Sequence, residues 1–316
     1  MTDGPSVVVL AGGISHERDV SLRSGRRVAD ALGRLGWRVR TLDPDSRLLI
    51  TLLDERPDII WPALHGASGE DGALRSLLDV LELPYIGSRG SAARLAWDKS
   101  TAKRIVETAG GATPPSMSLT REVFRELGAA TVIDLIANIF HEPVVVKPAR
   151  GGSAQGVTVV DADHRLPRAL MDAFTYTDEV LIERRVTGIE VAVGVLEGDG
   201  GPTALPAVEI VPASGFYGFE ERYTAGACRF YTPARITDAA ARAAGELAVL
   251  AHRALGLRHL SRTDMIVDGS GTPWFLETNV MPGLTETSLL PQALASTGRD
   301  LSAAYADLTR FALAHA

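Results

Sequence analysis

The sequence predicts an α/β chain that opens with a parallel, Rossmann-like lobe and continues into smaller mixed α+β lobes. Three observations lead there. Short β-branched runs alternate with helical-period segments over the first third of the chain, which is the pattern of strand–helix–strand units. A proline-marked turn, "ATPPS", then separates this region from one with a different element order. The length of 316 residues also exceeds what one typical core supports, so two or three lobes with clefts between them follow.

The first strand is "SVVVLAG", and "VSLRSGRRVADALGRLG" carries apolar residues at helical spacing. "WRVRTL", "DIIWPAL" and "PYIG" predict further strands, with helices at Leu48 to Asp54 and Gly72 to Leu81. Parallel sheets of this kind bind ligands beyond their strand carboxyl ends, where "AGGISHE" and "LHGASGEDG" fall. A helix over "DKSTAKRIVETAGG" leads to the turn. From about Ser116 the order is strand, helix (Arg121 to Ile139), strand "PVVVK", glycine loop, strand "VTVV", helix, strand "EVLIE". Longer strands begin at "GIEVAVGVLEG", followed by a glycine and aromatic loop from Pro212 to Thr232 and an alanine-rich helix to Leu255. The "DGSG" turn makes Arg262 to Val267 and Trp274 to Asn279 an antiparallel hairpin, and a helical tail closes the chain.

Composition narrows the function. With 46% hydrophobic and 22% charged residues and no low-complexity tract, the chain builds a real core. A net charge of −7 argues against a sequence-independent grip on nucleic acid, so an anionic ligand must be held locally. The single cysteine, Cys228, cannot form an intrachain disulfide and receives no chemical role. "MTDGPSVVVLAGG" has no basic leader and too short an apolar run for a signal peptide or a membrane span, so the expected location is the cytoplasm, away from the membrane.

Three constellations carry candidate chemistry. On the hairpin, Arg262 and Asp264 share a face of one strand, and Glu277 and Asn279 share a face of the other. Asp264, Glu277 and Asn279 together offer three oxygen donors, which suits a hard cation such as Mg²⁺ that completes its shell with phosphates and water. A solvated hairpin with a salt bridge to Arg262 fits the spacing equally well.

The second constellation is cationic. Lys147 ends the apolar strand "PVVV" before the glycine loop "KPARGGSAQGV", and Lys99 follows "LAWD" at a helix start. A buried ammonium needs an anion, and loop amides add donors for phosphate oxygens. The loop lacks the Gly-Lys-Ser/Thr ending of a P-loop, and alone it reads as well as a plain hairpin turn. Lysine, loop and acidic hairpin together favour ATP with magnesium. The third set lies at the first sheet's ligand edge: His16, Glu17, Arg18, Asp19, His65, Glu70 and Asp71. A carboxylate there suits a substrate ammonium, whereas "ISHERDVSL" also fits helix capping and His65 a structural histidine.

Taken in order, "AGGISHERDVSLRSG", "LHGASGEDGALRSLLDVLELPYIGS", "WDKSTAK", "VVVKPARGGSAQGV", "LIERRVTGIE", "GFYGFEERYTAG" and "RTDMIVDGSGTPWFLETNVMPGLTETSLLPQ" resemble the D-alanine:D-alanine ligase family of the ATP-grasp superfamily across essentially the whole chain. The resemblance implies three lobes: a Rossmann-like N-terminal substrate domain at 1–103, a central ATP-grasp lobe at 104–187 and a C-terminal ATP-grasp lobe at 188–316 that carries the metal site and substrate loop. ATP would be gripped between the last two.

The resemblance also implies roles. Lys99 and Lys147 match lysines on the ATP phosphates, and Glu183 and Glu190 match carboxylates on the adenine and ribose side. Asp264, Glu277 and Asn279 match ligands of Mg²⁺ or Mn²⁺, two ions in the family pattern. Glu17 and His65 match the pair near the first substrate's ammonium. Arg262 and the Gly283 amide match oxyanion stabilisers, and Ser288 a contact to the second substrate's carboxylate. Ser153 and Tyr223 match partners of Glu17 in a network that draws a lid, with Arg222 on it, over the site.

The implied reaction joins two D-alanines through an acylphosphate at the expense of ATP, for peptidoglycan, in a homodimer. Tyr223 favours an alanine-ending product, because other residues stand there in lactate-forming relatives. A ligase making another dipeptide or a depsipeptide (D-Ala-D-Ser, D-Ala-D-lactate) and a non-catalytic nucleotide-binding paralogue are the competing expectations. The chain departs from the family pattern at Ala154, where a second serine is usual, at Arg222, where lysine is usual, and at Arg185, where an apolar or aromatic residue is usual.

Overall fold

The computed structural model describes residues 4–140, 143–161, 165–224 and 226–315, and its strands form three sheets. In the first, β2 (Arg38–Leu42), β1 (Ser6–Leu10) and β3 (Ile59–Pro62) run parallel in that order. Alternate residues of β1 serve opposite faces, as a parallel sheet covered on both sides requires. Val7 and Val9 pack with Val28 and Leu32 of helix Arg18–Arg34, while Val8 and Leu10 pack with Leu52 and Leu78 of helices Leu48–Glu55 and Ala73–Val80. "PYIG" does not make the predicted strand: it contributes a single bridge, Tyr85 to Ile60, because Gly87 turns the chain at φ +99°.

The second sheet is antiparallel, in the order β4 (Ser116–Thr120), β7 (Glu179–Arg184), β5 (Val144–Pro148), β6 (Thr158–Val160). Helices Ala129–Ile139 and Leu166–Phe174 cover it, and its apolar core is separate from the others. The helix predicted over Arg121 to Ile139 is two helices, because Gly128 at φ +81° ends Arg121–Leu127 and starts Ala129–Ile139.

The third sheet runs β11 (Cys228–Tyr231), β10 (Val208–Pro212), β8 (Gly188–Leu196), β12 (Leu260–Asp268), β13 (Pro273–Asn279), with β9 (Thr203–Ala204) on β8. Helix Asp238–Ala254 covers one face with the helices Gly90–Trp97 and Lys99–Thr108, the first of which has no counterpart in the sequence reading. The other face shares a continuous core with the first sheet, through helix Leu289–Ser296 and the tail helix Leu301–Ala314. Trp61 Nε1 donates to Thr309 Oγ1 at 2.9 Å within that core, tying the tail to β3.

The expected loop over Pro212 to Thr232 holds two elements: a short helix, Phe219–Tyr223, and the strand β11. Glu221 accepts from the Gly218 amide (3.1 Å) and Ser214 Oγ (2.6 Å), which folds the helix's entry turn. Ala225 lies outside the described residues.

Candidate active site

A cavity of about 430 Å³ opens between the second and third sheets, a size that accommodates a nucleotide. Lys147, at the carboxyl end of β5, projects into it beside Glu183 of β7, and Lys147 Nζ lies 2.5 Å from Glu183 Oε1. Behind Glu183, outside the cavity, Lys103 Nζ donates to Glu183 Oε2 at 2.7 Å and to the Pro114 carbonyl at 3.0 Å. Burial pushes the Glu183 carboxyl up, but the two ammoniums outweigh it and hold the group below its ordinary range. Sequence reasoning missed Lys103. Its signal was available in "DKSTAK", where Lys99 and Lys103 stand four apart on one helix face.

Lys99 begins its helix, whose N-terminus is capped by Asp98 accepting from the Thr101 amide at 2.9 Å. Its ammonium donates to the Gly151 carbonyl at 2.6 Å and pairs with Glu277 Oε2 at 3.0 Å, so one lysine joins the glycine loop to the hairpin. Arg150 repeats the tether from the loop side, with Nε 2.8 Å from Asp98 Oδ2.

The hairpin register places Arg262 opposite Asn279 and Asp264 opposite Glu277, so all four side chains share one face. Arg262 grips Asp264 through two bonds, Nε to Oδ1 at 2.7 Å and Nη2 to Oδ2 at 2.8 Å. The Asn279 amide, oriented as its neighbours require, donates to Glu70 and accepts from Arg262 Nη2 at 3.1 Å. Burial raises Glu277, yet Lys99, Lys147 and Arg222 hold it well below the ordinary carboxylate range. Among the described residues no three His, Cys, Asp or Glu side chains converge on a metal position. Asp264, Glu277 and Asn279 nonetheless lie on one face, and two carboxylates with an amide oxygen are donors of the type a hard cation takes, with phosphates and water completing its shell.

Glu190 of β8 lines the same cavity and is pushed up to about 7, mainly by burial, with Arg222 opposing and Asp264 and Glu277 adding. The Arg222 guanidinium carbon lies 4.2 Å from the Tyr217 ring centroid, a stacked placement that suits the planar arginine found there. Arg185 also lines the cavity.

At the first sheet's edge, Glu17 Oε1 accepts from Ser153 Oγ at 2.5 Å and from Tyr223 Oη at 3.1 Å, and Ser153 Oγ lies 2.5 Å from Tyr223 Oη. The three come from the loop after β1, the glycine loop and the short helix Phe219–Tyr223. Burial raises the Tyr223 hydroxyl to about 12, so it remains a donor. Glu17 Oε2 is buried with no hydrogen-bond partner among the described residues, beside the Gly66 backbone at φ +71°, where any Cβ would lie 3.0 Å from it. An unpartnered carboxylate oxygen suits a cationic ligand.

His65 Nε2 lies 3.0 Å from Ser24 Oγ, and its Nδ1 faces the Met281 carbonyl at 3.2 Å. A carbonyl only accepts, so Nδ1 carries the proton. Burial lowers the His65 pKa, against Glu17, and the ring is neutral. Glu70, which sequence reasoning noted without a role, accepts from the Gly66 amide at 2.8 Å and meets Asn279, linking the first lobe to the hairpin. Gly283 passes so close to Ser288 that a Cβ would lie 2.6 Å from its Oγ. Ser288 starts helix Leu289–Ser296 and accepts from the Thr285 amide at 3.1 Å.

A parallel lobe, an antiparallel sheet with a lysine and glycine loop, and a larger sheet carrying an acidic hairpin, with a cavity between the last two, define the ATP-grasp fold. The family model described as "D-ala D-ala ligase C-terminus" matches residues 105–309. The chain is 43% identical over 295 residues to a D-alanine–D-alanine ligase from Anaeromyxobacter dehalogenans (strain 2CP-C), covering 93% of this chain and 92% of that protein. It is 41% identical to one from Gloeobacter violaceus, covering 93% and 95%. Among solved structures, the VanG D-Ala:D-Ser ligase from Enterococcus faecalis matches with TM-score 0.84 at 28% identity, over 98% and 99% of the two chains. A D-alanine–D-alanine ligase from Bacillus anthracis complexed with ATP matches with TM-score 0.80 at 25% identity, over 98% of each chain. The chain belongs to the D-alanine–D-alanine ligase family.

Proposed function

We propose that the protein joins two D-alanines into D-alanyl-D-alanine at the expense of ATP, as a cytoplasmic enzyme of peptidoglycan precursor synthesis. The observation that carries this reading is the meeting of two unlike ends at one site. A nucleotide-sized cavity is lined by Lys99, Lys147 and the Asp264/Glu277 pair, and next to its lining residues Gly152, Ala154 and Arg222 the Glu17–Ser153–Tyr223 cluster presents a free carboxylate oxygen. The relatives at about 40% identity carry the name of this activity.

In this reading the domains are those at 1–103, 104–187 and 188–316, with ATP between the last two. Lys147 and Lys99 face the phosphates, and Glu183 and Glu190 take the adenine and ribose side. Asp264, Glu277 and Asn279 would hold Mg²⁺ or Mn²⁺, whose charge offsets that of the phosphates. Glu17 Oε2, beside neutral His65, receives the first D-alanine's ammonium. The D-alanine carboxylate then attacks the γ-phosphorus of ATP, the bond to the β-phosphate oxygen breaks and ADP is left, because a carboxylate is a poor electrophile and an acylphosphate a good one.

The second D-alanine, held at its carboxylate by Ser288 and with Arg222 on the overlying lid, attacks through its deprotonated amine. Arg262 and the Gly283 amide stabilise the tetrahedral oxyanion, and phosphate leaves. Acylphosphates hydrolyse, so the lid around Tyr223 excludes water. Exposed Ile50, Leu53, Leu77 and Val80 on the two outer helices of the first lobe support a homodimer.

Phosphate release from ATP and Mg²⁺ tests the assignment, with D-alanine alone and with D-alanine plus D-serine or D-lactate, and with products identified by mass. D-alanyl-D-alanine from D-alanine alone is expected. Release only with D-serine or D-lactate as second substrate moves the protein to a sister activity, and no release with any mixture refutes the ligase reading.

A further inference from the structure

Lys103 reaches neither the cavity nor solvent, yet it shares Glu183 with Lys147, one ammonium on each carboxylate oxygen. Burying a second ammonium beside a single carboxylate costs desolvation free energy that one ion pair avoids. Lys103 therefore calls for a reason beyond neutralising Glu183.

Position supplies it. Lys147 and Glu183 line the cavity, so an anionic ligand there competes with Glu183 for Lys147. Lys103 faces away from that ligand and is anchored a second time on the Pro114 carbonyl. When phosphates draw Lys147 off, Lys103 is the partner that remains, and without it Glu183 would be a buried carboxylate with no counter-charge, which takes up a proton.

We propose that Lys103 is a positioning residue for nucleotide selection: it keeps Glu183 a fixed anion while Lys147 engages the triphosphate, so that the carboxylate offers the base acceptors only. The inference rests on the nucleotide reading of the cavity given above. An ionised Glu183 accepts from the 6-amino group of a purine and repels a 6-oxo group. A protonated Glu183 donates to the 6-oxo group and loses that discrimination. The charged groups facing Glu183 are Lys147 from β5 and Lys103 from its helix, and Glu107, one turn along that helix, acts on Lys103.

The test is calorimetric binding of ATP and ITP to the full-length protein and to Lys103→Met, each in two buffers of different ionisation enthalpy. In Lys103→Met the preference for ATP over ITP falls by about 10- to 100-fold. The variant also takes up roughly one proton more per ATP bound than the unmodified protein. Unchanged ATP-over-ITP preference and unchanged proton uptake in a folded variant overturn the inference.

If Lys103→Met does not fold, Glu183→Gln is compared with the double variant Lys103→Met/Glu183→Gln. Equal base preference in the two supports a role exercised through Glu183, and a further change in the double variant overturns it. Failure of the unmodified protein to bind ATP would instead remove the nucleotide reading, and this inference with it.

Discussion

Replacing Ser153 with alanine removes the hydroxyl at the point where three segments meet. Its Oγ lies 2.5 Å from both Glu17 Oε1 and Tyr223 Oη. A hydrogen bond to an ionised acceptor contributes roughly 1.5–3 kcal/mol. Tyr223 is 43% exposed and keeps its own 3.1 Å bond to Glu17, so the lower end applies, about 1.5 kcal/mol or about a tenfold effect. The loss has two readouts. The KM for the first amino acid rises about tenfold as Glu17 loses its orientation. The lid also closes less firmly, so water reaches the acylphosphate and less than one dipeptide forms per phosphate released. Phosphate and dipeptide are measured in the same reaction. A KM within twofold of the unmodified protein, together with one dipeptide per phosphate, would refute the reasoning. Tyr223→Phe added to Ser153→Ala should cost less than the two separate losses combined, because both act on one Glu17 oxygen.

Glu277→Ala should abolish turnover, since it removes a carboxylate from the cation set and the anion that holds Lys99 on the glycine loop; a near-normal kcat would sink both assignments. Ala154→Ser should leave the KM for ATP within about twofold, as expected of a glycine loop that grips phosphate through backbone amides even though Ala154 lines the cavity. A large gain in ATP affinity would mean that the missing hydroxyl matters. Glu209 pairs with Arg235 through bonds of 2.9 and 2.7 Å, and these hold its carboxyl below the ordinary range. The pair's contribution is thus present above the unfolded pKa and lost as pH falls through the folded one. Glu209→Gln should lower stability by about 1–2 kcal/mol at pH 7, Arg235 being largely exposed, and the difference should shrink on acidification; thermal melts with a gap that is flat across pH would contradict this.

Local patterns were legible because their physics is local. The β1 run, the helix with 3.6-residue spacing behind it, and the "DGSG" hairpin each followed from near neighbours, whereas the register that sets Asp264 opposite Glu277 depends on a shift between Asp264 and Met265 that the turn does not imply. "PYIG" was overread as a strand because an apolar tetrapeptide does not reveal that the chain turns at Gly87 after a single bridge. The break at Gly128 was underread, since an isolated glycine is tolerated within many helices and only its positive φ shows that this one is not. The Glu17–Ser153–Tyr223 cluster spans 206 positions, and no spacing rule reaches so far. Only the family resemblance proposed it, whereas Lys103 and Glu70, for which the resemblance assigned no role, emerged from the contacts.

Those contacts also divide the site between two separately packed bodies. The first and third sheets share one apolar core, so Glu17, His65, Arg262 and the acidic hairpin belong to a single packed body. The second sheet has its own core, and near the site it is held to that body by polar links: Lys99 to Gly151, Arg150 to Asp98, and Ser153 to Glu17. Polar links of this kind exchange partners at little cost when a charged ligand arrives, whereas a shared apolar core does not. On the proposed reading, closure over a nucleotide needs no repacking of either core, only the transfer of Lys99 and Lys147 from protein acceptors to phosphate oxygens. On the same reading, Lys103 is the one of these three ammoniums whose partner does not change.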